Sequence, residues 1–386
     1  MTANLRPAAG SLFVVGLTGK ELTGMERAWL KLMRPAGIIL YKRNITDAKQ
    51  TRALLAEAAK LCTAHCVRCV DVEGGTVNRL SDALAPIPSA QAVARAMHAA
   101  STSPKKRKFG PTSTKESRTP ASEHGEFIAR AVAAFGFNTS LAPMLDLALP
   151  DSAEVLGSRC PSPEPAQVIE YARGFLAGLA AHGIVGCGKH FPGLGGGTCD
   201  SHLETPAIDR ETGAIWRDDL EPYRALRREL PMVMVNHAAY PRTPGKDRPA
   251  SVSRYWIETV LRKRIGYRGI ILSDDLEMGG IARFMPIEEA AVEAIRTGSD
   301  LIEICHHAEP ILCAFEALIA EAERSGAFRK LLLARARETA RKRGTLFTDS
   351  MDASLSERQF EALRNRILQF GERIAKAQPA PDGAGT

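Results

Sequence analysis

The sequence predicts an α/β chain that closes into a single (β/α)8 barrel, and two observations carry the prediction. Eight apolar runs of strand length recur along the 386 residues, at 13–17, 37–41, 68–72, 139–143, 185–189, 232–236, 269–273 and 301–305. Between them, apolar residues return every three or four positions, the period of an amphipathic helix. Strands alternating with helices make parallel βα units, and eight such units close a barrel. The competing architecture is an open doubly wound sheet, but no glycine-rich dinucleotide fingerprint follows the first run, which favours the barrel.

The elements follow in order. Leu12-Phe-Val-Val-Gly-Leu17 reads as a first strand, because it falls far short of the roughly 20 apolar residues of a membrane span and precedes no clear cleavage site. No other run approaches that length, so no membrane span is expected. The stretch 23–33 sets Met25, Trp29, Leu30 and Met33 on one helical stripe, and 169–179 does the same with Ile169, Ala172, Leu176 and Leu179. Two segments break the rhythm. Residues 99–124, rich in Ser, Thr, Pro and Lys, read as a disordered, low-complexity insert in a barrel spanning 1–350. Residues 351–386 read as a C-terminal helix, over 356–374, and a frayed tail rich in Pro, Ala and Gly.

Composition narrows the function classes. Apolar content of 45% and charge of 25% are ordinary globular values. The net charge of +7 is local, since 101–120 holds six basic residues against one glutamate and leaves the remainder nearly neutral. Nucleic acid is therefore not an expected partner. Eight scattered cysteines fit a reducing, cytoplasmic setting. Cys62-x3-Cys66-x2-Cys69 has the spacing of the iron–sulfur motif of radical S-adenosylmethionine enzymes. Three ligands to one cluster must share a loop, however, and Cys62 ends a helical stretch while Cys69 sits inside a strand pattern, so buried cysteine is the better reading. No His-x3-His, no Glu-x2-His and no phosphate loop is present, so neither a metal nor a cofactor is expected.

In a parallel barrel the active site lies at the carboxyl ends of the strands. The polar residues that end the apolar runs are Lys42 and Arg43, Asp71 and Glu73, Asp146, Lys189 and His190, Asn236 and His237, Asp274 and Asp275, and His306 and His307. The stretch 188–206 adds a glycine-rich loop that carries Asp200 and His202 two apart. Carboxylates, a lysine and an arginine together suit a substrate with many hydroxyls. Glycoside hydrolysis with retention needs a carboxylate nucleophile and a group that protonates the leaving oxygen. Asp274, which ends Ile270-Ile-Leu-Ser273, fits the first; His202, steadied by Asp200, fits the second.

These residues stand in a familiar order. Gly37-Ile-Ile-Leu-Tyr-Lys-Arg-Asn44, Asp71-Val-Glu-Gly-Gly-Thr-Val-Asn-Arg79, Leu141-Ala-Pro-Met-Leu-Asp146, Lys189-His-Phe-Pro-Gly193 with Asp200-Ser-His202, and Ser273-Asp-Asp-Leu-Glu-Met278 resemble the glycoside hydrolase family 3 β-N-acetylglucosaminidases, single TIM-like barrels of bacterial cell-wall recycling. The resemblance implies Asp274 as nucleophile, His202 as acid/base paired with Asp200, and Asp71, Arg79, Arg159, Lys189 and His190 as the residues that hold an N-acetylglucosamine ring. It implies a muropeptide-like carbohydrate as substrate. The chain departs from the family at Leu194-Gly-Gly-Gly197, where His-Gly-Asp-Thr is usual, at Val72 and Thr76, where Gln and Arg are usual, and after Arg159, where Cys160-Pro161 replaces Ser-Phe. The glycines at 195–197 are expected to let the Asp200–His202 dyad swing over bound sugar. A phosphorylase, another family 3 β-glycosidase, a radical S-adenosylmethionine enzyme and a non-catalytic sugar-binding protein are the alternatives. The sequence leaves the natural aglycone and the oligomeric state open.

Overall fold

The computed structural model describes residues 5–102, 118–197, 205–348 and 354–378. Eight parallel strands close into a barrel: β1 (Phe13–Gly16), β2 (Gly37–Leu40), β3 (Val67–Val70), β6 (Thr139–Ser140), β7 (Val185–Phe191), β8 (Met232–Val235), β9 (Ile270–Asp275) and β10 (Leu301–Ile304). Each falls on one of the eight predicted runs. Between β3 and β6, a small antiparallel hairpin is formed by β4 (Val72–Gly74) and β5 (Val77–Asn78). The barrel closes where β1 pairs with β10, Val14 opposite Glu303.

Two apolar layers hold this ring, as strand alternation requires. Val14, Ile39, Cys69, Leu141, Cys187, Met234, Leu272, Leu301 and Cys305 fill the barrel interior. Their neighbours, such as Val15, Ile38, Val70, Val233, Ile271, Ile302 and Ile304, face the surrounding helices. Shortening one of these packed side chains, Leu272→Ala for example, costs about 2–5 kcal/mol in a core that cannot collapse.

The sharp bend after β3 aims the site. Gly74 and Gly75 have φ of +94° and +62°, and a side chain on either would run into Pro88 O at 2.1 Å or Ser89 Cβ at 2.7 Å. Only glycine fits this path, and the path turns the chain back so that the Arg79 N–H donates to Asp71 O at 3.1 Å.

Helices alter some expected boundaries. The helix Ala90–Thr102 and the helix Pro120–Ala134 run into both ends of the predicted insert 99–124. His124 is wholly buried, bonded through Nδ1 to the Tyr171 hydroxyl at 3.0 Å. Residues 103–117 lie outside the described residues. In the helix Gly24–Met33, Met25 is 73% exposed and Glu26 takes its place on the buried stripe. The Glu26 carboxylate accepts the Thr18 and Thr23 N–H groups at 2.9 and 2.8 Å, which makes its burial tolerable.

The expected last helix forms at Glu357–Lys376. It lays Leu363, Ile367, Phe370 and Ile374 against the helices that flank the insert, with Phe370 stacked on His124 and Arg373 paired to Glu123 at 2.6 Å. The predicted tail from 379 on lies outside the described residues. No helix among the described residues is long and apolar enough to cross a membrane.

Candidate active site

Asp71, Arg79, Arg159, the adjacent Lys189 and His190, and Asp274 come from five stretches of the chain and line one cavity of about 460 Å³ at the carboxyl ends of the strands. Topology brings them together, as the barrel prediction requires. Asp200 and His202 lie within 198–204, outside the described residues. The residues on either side of that segment, Gly197 and Pro206, both line the same cavity.

The cavity's fixed frame is an ion-paired chain. Lys189 extends Nζ to Asp71 Oδ1 at 2.8 Å and to Glu73 Oε1 at 2.7 Å. Arg159 meets Glu73 as a fork, Nε to Oε2 at 3.0 Å and Nη2 to Oε1 at 2.9 Å, the strongest geometry for this pair. Burial alone would raise the Glu73 carboxyl, but Arg159 and Lys189 outweigh it and hold it at about 2. Burial works against the two cations as well; the carboxylates prevail and keep Lys189 and Arg159 above their ordinary ranges. All three stay charged despite their burial. Arg79 stands 3.8 Å from Asp71 Oδ2 and lies over the Tyr41 ring.

Asp146 fixes His190 and the start of the glycine loop. Its Oδ2 accepts the His190 backbone N–H at 3.1 Å and its Oδ1 the Leu194 N–H at 2.7 Å. His190 Nδ1, 2.8 Å from Oδ2, is thereby the donor, and Nε2 is the nitrogen left over. Beyond Leu194, the glycines do not stand in open space. A side chain at Gly195 would meet Leu147 O at 2.5 Å, and one at Gly196 would meet Arg210 Cδ at 2.8 Å. Close packing therefore accounts for these two positions.

Asp274, at the end of β9, is half-buried in the cavity wall. Burial would raise its carboxyl. His190, His237, the Asp275 N–H at 3.0 Å and Lys189 together hold it below the ordinary carboxylate range. His237 is wholly buried behind it, and burial lowers its imidazole, so the ring is neutral near pH 7. Its Nε2 faces the Asp275 carbonyl at 2.9 Å and its Nδ1 the Ser251 hydroxyl at 2.7 Å. A carbonyl only accepts, so Nε2 carries the proton.

The other strand-end residues divide by position. Lys42 pairs with Asp82 on the exposed surface. His307 is also exposed and bonds Glu277 at 2.6 Å. His306 lines the cavity against Tyr41, with Arg43 Nη1 at 3.1 Å from Nδ1 and Asp275 Oδ2 at 3.3 Å from Nε2. The guanidinium only donates, so Nδ1 accepts and Nε2–H points to Asp275. Sequence reasoning missed Tyr41, Glu277 and Glu303 in the cavity wall. For Glu303 the signal was present, a lone acid inside an apolar strand run.

Cys62, Cys66 and Cys69 do not share a loop. The first two are buried in the layer outside the barrel and bond Ala58 O and Val67 O, while Cys69 is in the interior beside Ile38 O. Their placement gives the iron–sulfur reading no site. Among the described residues, no group of three or more His, Cys, Asp or Glu is placed to hold a metal ion.

A (β/α)8 barrel with an ionised aspartate in a cavity framed by paired lysine, arginine and carboxylates has the layout of a barrel glycosidase. The chain belongs to glycosyl hydrolase family 3: residues 8–328 match the family's N terminal domain. It is 35% identical over 311 residues to the beta-hexosaminidase of Aromatoleum aromaticum, covering 79% of this chain and 82% of that one. It is 30% identical over 365 residues to the beta-hexosaminidase of Actinobacillus pleuropneumoniae serotype 3, covering 93% and 99%. Among solved structures it is similar to a glycoside hydrolase family 3 beta-N-acetylglucosaminidase from Paenibacillus sp. str. FPU-7, with a TM-score of 0.79 and 27% identity over 96% of this chain and 69% of that one. The chain is accordingly a glycosidase.

Proposed function

We propose that the chain is a retaining β-N-acetylglucosaminidase that removes terminal β-linked N-acetylglucosamine, with peptidoglycan fragments as the natural source. The observation that carries the reading is Asp274, held ionised in the cavity wall with its Oδ1 on a backbone N–H and no ion pair to a basic side chain among the described residues. The beta-hexosaminidase relatives support the choice of an N-acetylated sugar. Asp71, Arg79, Arg159, Lys189 and His190 would hold the ring, Asp71 as acceptor and the cations as donors to hydroxyl and acetamido oxygens.

The reaction is a double displacement. Asp274 attacks the anomeric carbon and forms a glycosyl ester, while protonated His202 gives its proton to the departing oxygen. Water, deprotonated by the now neutral His202, then releases the sugar with retention. Asp200 orients the imidazole and stabilises its cation. The described cysteines form no disulfide with one another, which supports a reducing, cytoplasmic setting.

Release of nitrophenol from an aryl N-acetyl-β-glucosaminide tests the activity. His202→Ala tests the acid: hydrolysis of poor leaving groups should fall far more than that of dinitrophenyl glycosides, which depart without a proton. Equal slowing of every aryl glycoside would remove His202 from that role. Formation of the sugar 1-phosphate when phosphate is added would replace hydrolysis by phosphorolysis.

A further inference from the structure

β10 is apolar but for one residue. By strand alternation Leu301, Glu303 and Cys305 share its inward side, and Leu301 and Cys305 pack in the barrel interior while Ile302 and Ile304 pack outward. Glu303 is thus a carboxyl inside the barrel, 2% exposed, in the wall of the reaction cavity. Its Oε1 accepts the Cys305 thiol at 3.2 Å. Its Oε2 has no hydrogen-bond partner among the described residues. A buried oxygen left unpaired is rare in native proteins and calls for a reason. The proposed hydrolysis gives Glu303 no part.

We propose that Glu303 is a sugar-contacting residue, its Oε2 hydrogen-bonded to a hydroxyl oxygen of the sugar bound in this cavity. The charged groups that face it are Asp71 from the end of β3 and Asp274 and Asp275 from β9. The uncharged groups that face it are Tyr41 beyond β2, Cys69 on β3, Cys187 on β7 and Cys305 beyond β10. Lys189 is engaged by Asp71 and Glu73. Burial, then the three aspartates, push the Glu303 carboxyl well above the usual carboxylate range. That shift favours the neutral acid, the form in which Oε2 carries the proton and donates.

A neutral donor does here what the neighbouring carboxylates do not. Asp71 and Asp274 only accept, and a further cation beside Asp274 would pair with the nucleophile and blunt it. A protonated carboxyl gives a hydrogen bond without that charge. A sugar with an oxygen at this place satisfies Oε2, and one lacking it leaves the oxygen buried and unpaired, which is how a polar site rejects an analogue.

The contact rests on the glycosidase reading above for its probe, and the experiment separates the two. Glu303→Gln and Glu303→Leu are made in the full chain, and kcat and KM are measured on 4-nitrophenyl N-acetyl-β-D-glucosaminide. Glu303→Leu should lower kcat/KM by about 10- to 100-fold, the loss of one buried hydrogen bond to the sugar. Glu303→Gln, whose amide N–H replaces the O–H, should stay within about threefold of wild type. Should Glu303→Leu fail to fold, Glu303→Met replaces it.

Independently of substrate, the infrared difference spectrum between wild type and Glu303→Gln should contain the C=O band of a protonated carboxylic acid. An ionised carboxylate band there would overturn the assignment as donor. If wild type turns over the probe and the leucine or methionine variant matches it, Glu303 touches no sugar and the proposal fails while the activity reading stands. If wild type does not turn over the probe, the activity reading fails. The same variants are then compared by calorimetry for binding of free N-acetylglucosamine, where equal affinity of wild type and Glu303→Leu overturns the contact and weaker binding by the variant supports it.

Discussion

Two clusters of buried charge stand at opposite ends of the same barrel. At the amino ends of the strands, wholly buried Asp300 takes Arg262 Nη2 at 2.5 Å, Lys342 Nζ at 2.9 Å, Arg335 Nη1 at 3.2 Å and the Ile271 N–H at 2.8 Å. At the carboxyl ends, Glu73 takes Arg159 and Lys189. Electrostatically they are alike: in each, burial would raise the carboxyl and the cations more than offset it. They differ in what is left over. Both oxygens of Asp300 are engaged, and its three cations converge on it. At the mouth, Asp274 and Glu303 each keep an oxygen without a bonded cation beside a cavity. A perturbed carboxyl marks both ends; of the two clusters, only the mouth leaves a carboxyl oxygen unspent beside open volume.

The sharpest way to break this contrast is to neutralise one carboxylate at each end. Asp274→Asn should lower kcat by about a thousandfold or more, because an amide cannot form the glycosyl ester, and should leave the thermal midpoint nearly unchanged. Retention of more than about a hundredth of the wild-type rate would remove Asp274 from the nucleophile's role. Asp300→Asn should do the opposite. It leaves three largely buried cations without this counter-charge, at a cost of about 3–5 kcal/mol in denaturant unfolding, while kcat per folded molecule stays at the wild-type value. A destabilised Asp274→Asn or a catalytically impaired Asp300→Asn would dissolve the distinction.

How far the sequence foretold this contrast depends on whether a feature is local. The strands were legible because apolar runs of strand length alternate with helical stretches, and Asp274 was legible because it ends one of those runs. The Arg159–Glu73 fork was not, since 86 positions separate the partners and only closure of the barrel brings them together. Composition misplaced the insert's edges. Thr119 caps the helix that opens at Pro120, and both residue types are helix-start signals that read as low complexity beside a run of Ser, Thr and Lys. At Met25, spacing gave the wrong neighbour: buried Glu26 makes up with hydrogen bonds for what it lacks in hydrophobicity.

A smaller effect tests whether the mouth's ion pairs position substrate as well as support the fold. Glu73→Gln keeps shape and removes the charge that Arg159 and Lys189 share. The two cations should then drift from the sugar, with kcat/KM down by about 10- to 100-fold, chiefly through KM, as expected for a ground-state contact. The loss of stability should stay below that of Asp300→Asn, because Asp71 still pairs with Lys189. A variant that loses stability and keeps KM would make Glu73 the counterpart of Asp300, and the mouth frame would be structural.

The smallest effect comes from a carboxyl that reverses the sign. Asp219 is buried under Gly193, in the turn beneath the glycine loop. Burial pushes its carboxyl up, from 3.8 to about 7, against the pull of Arg210, which lies 3.1 Å away but also serves Asp218 at 2.9 Å. Where Glu73 and Asp300 lose stabilisation as pH falls, Asp219 behaves in the opposite way. Between about 4 and 7 the folded state holds a proton that the unfolded state has released, so its contribution is fully present at low pH and is lost as pH rises to about 7. Asp219→Asn removes the ionisation and keeps the shape. It should gain stability of order 1 kcal/mol over wild type at pH 8, less than the bare shift would give because the amide loses the attraction of Arg210, and the gain should vanish near pH 4. Unfolding in denaturant at the two pH values measures it, and a variant less stable than wild type at pH 8 would mean that the attraction of Arg210 outweighs the cost of burying the Asp219 charge.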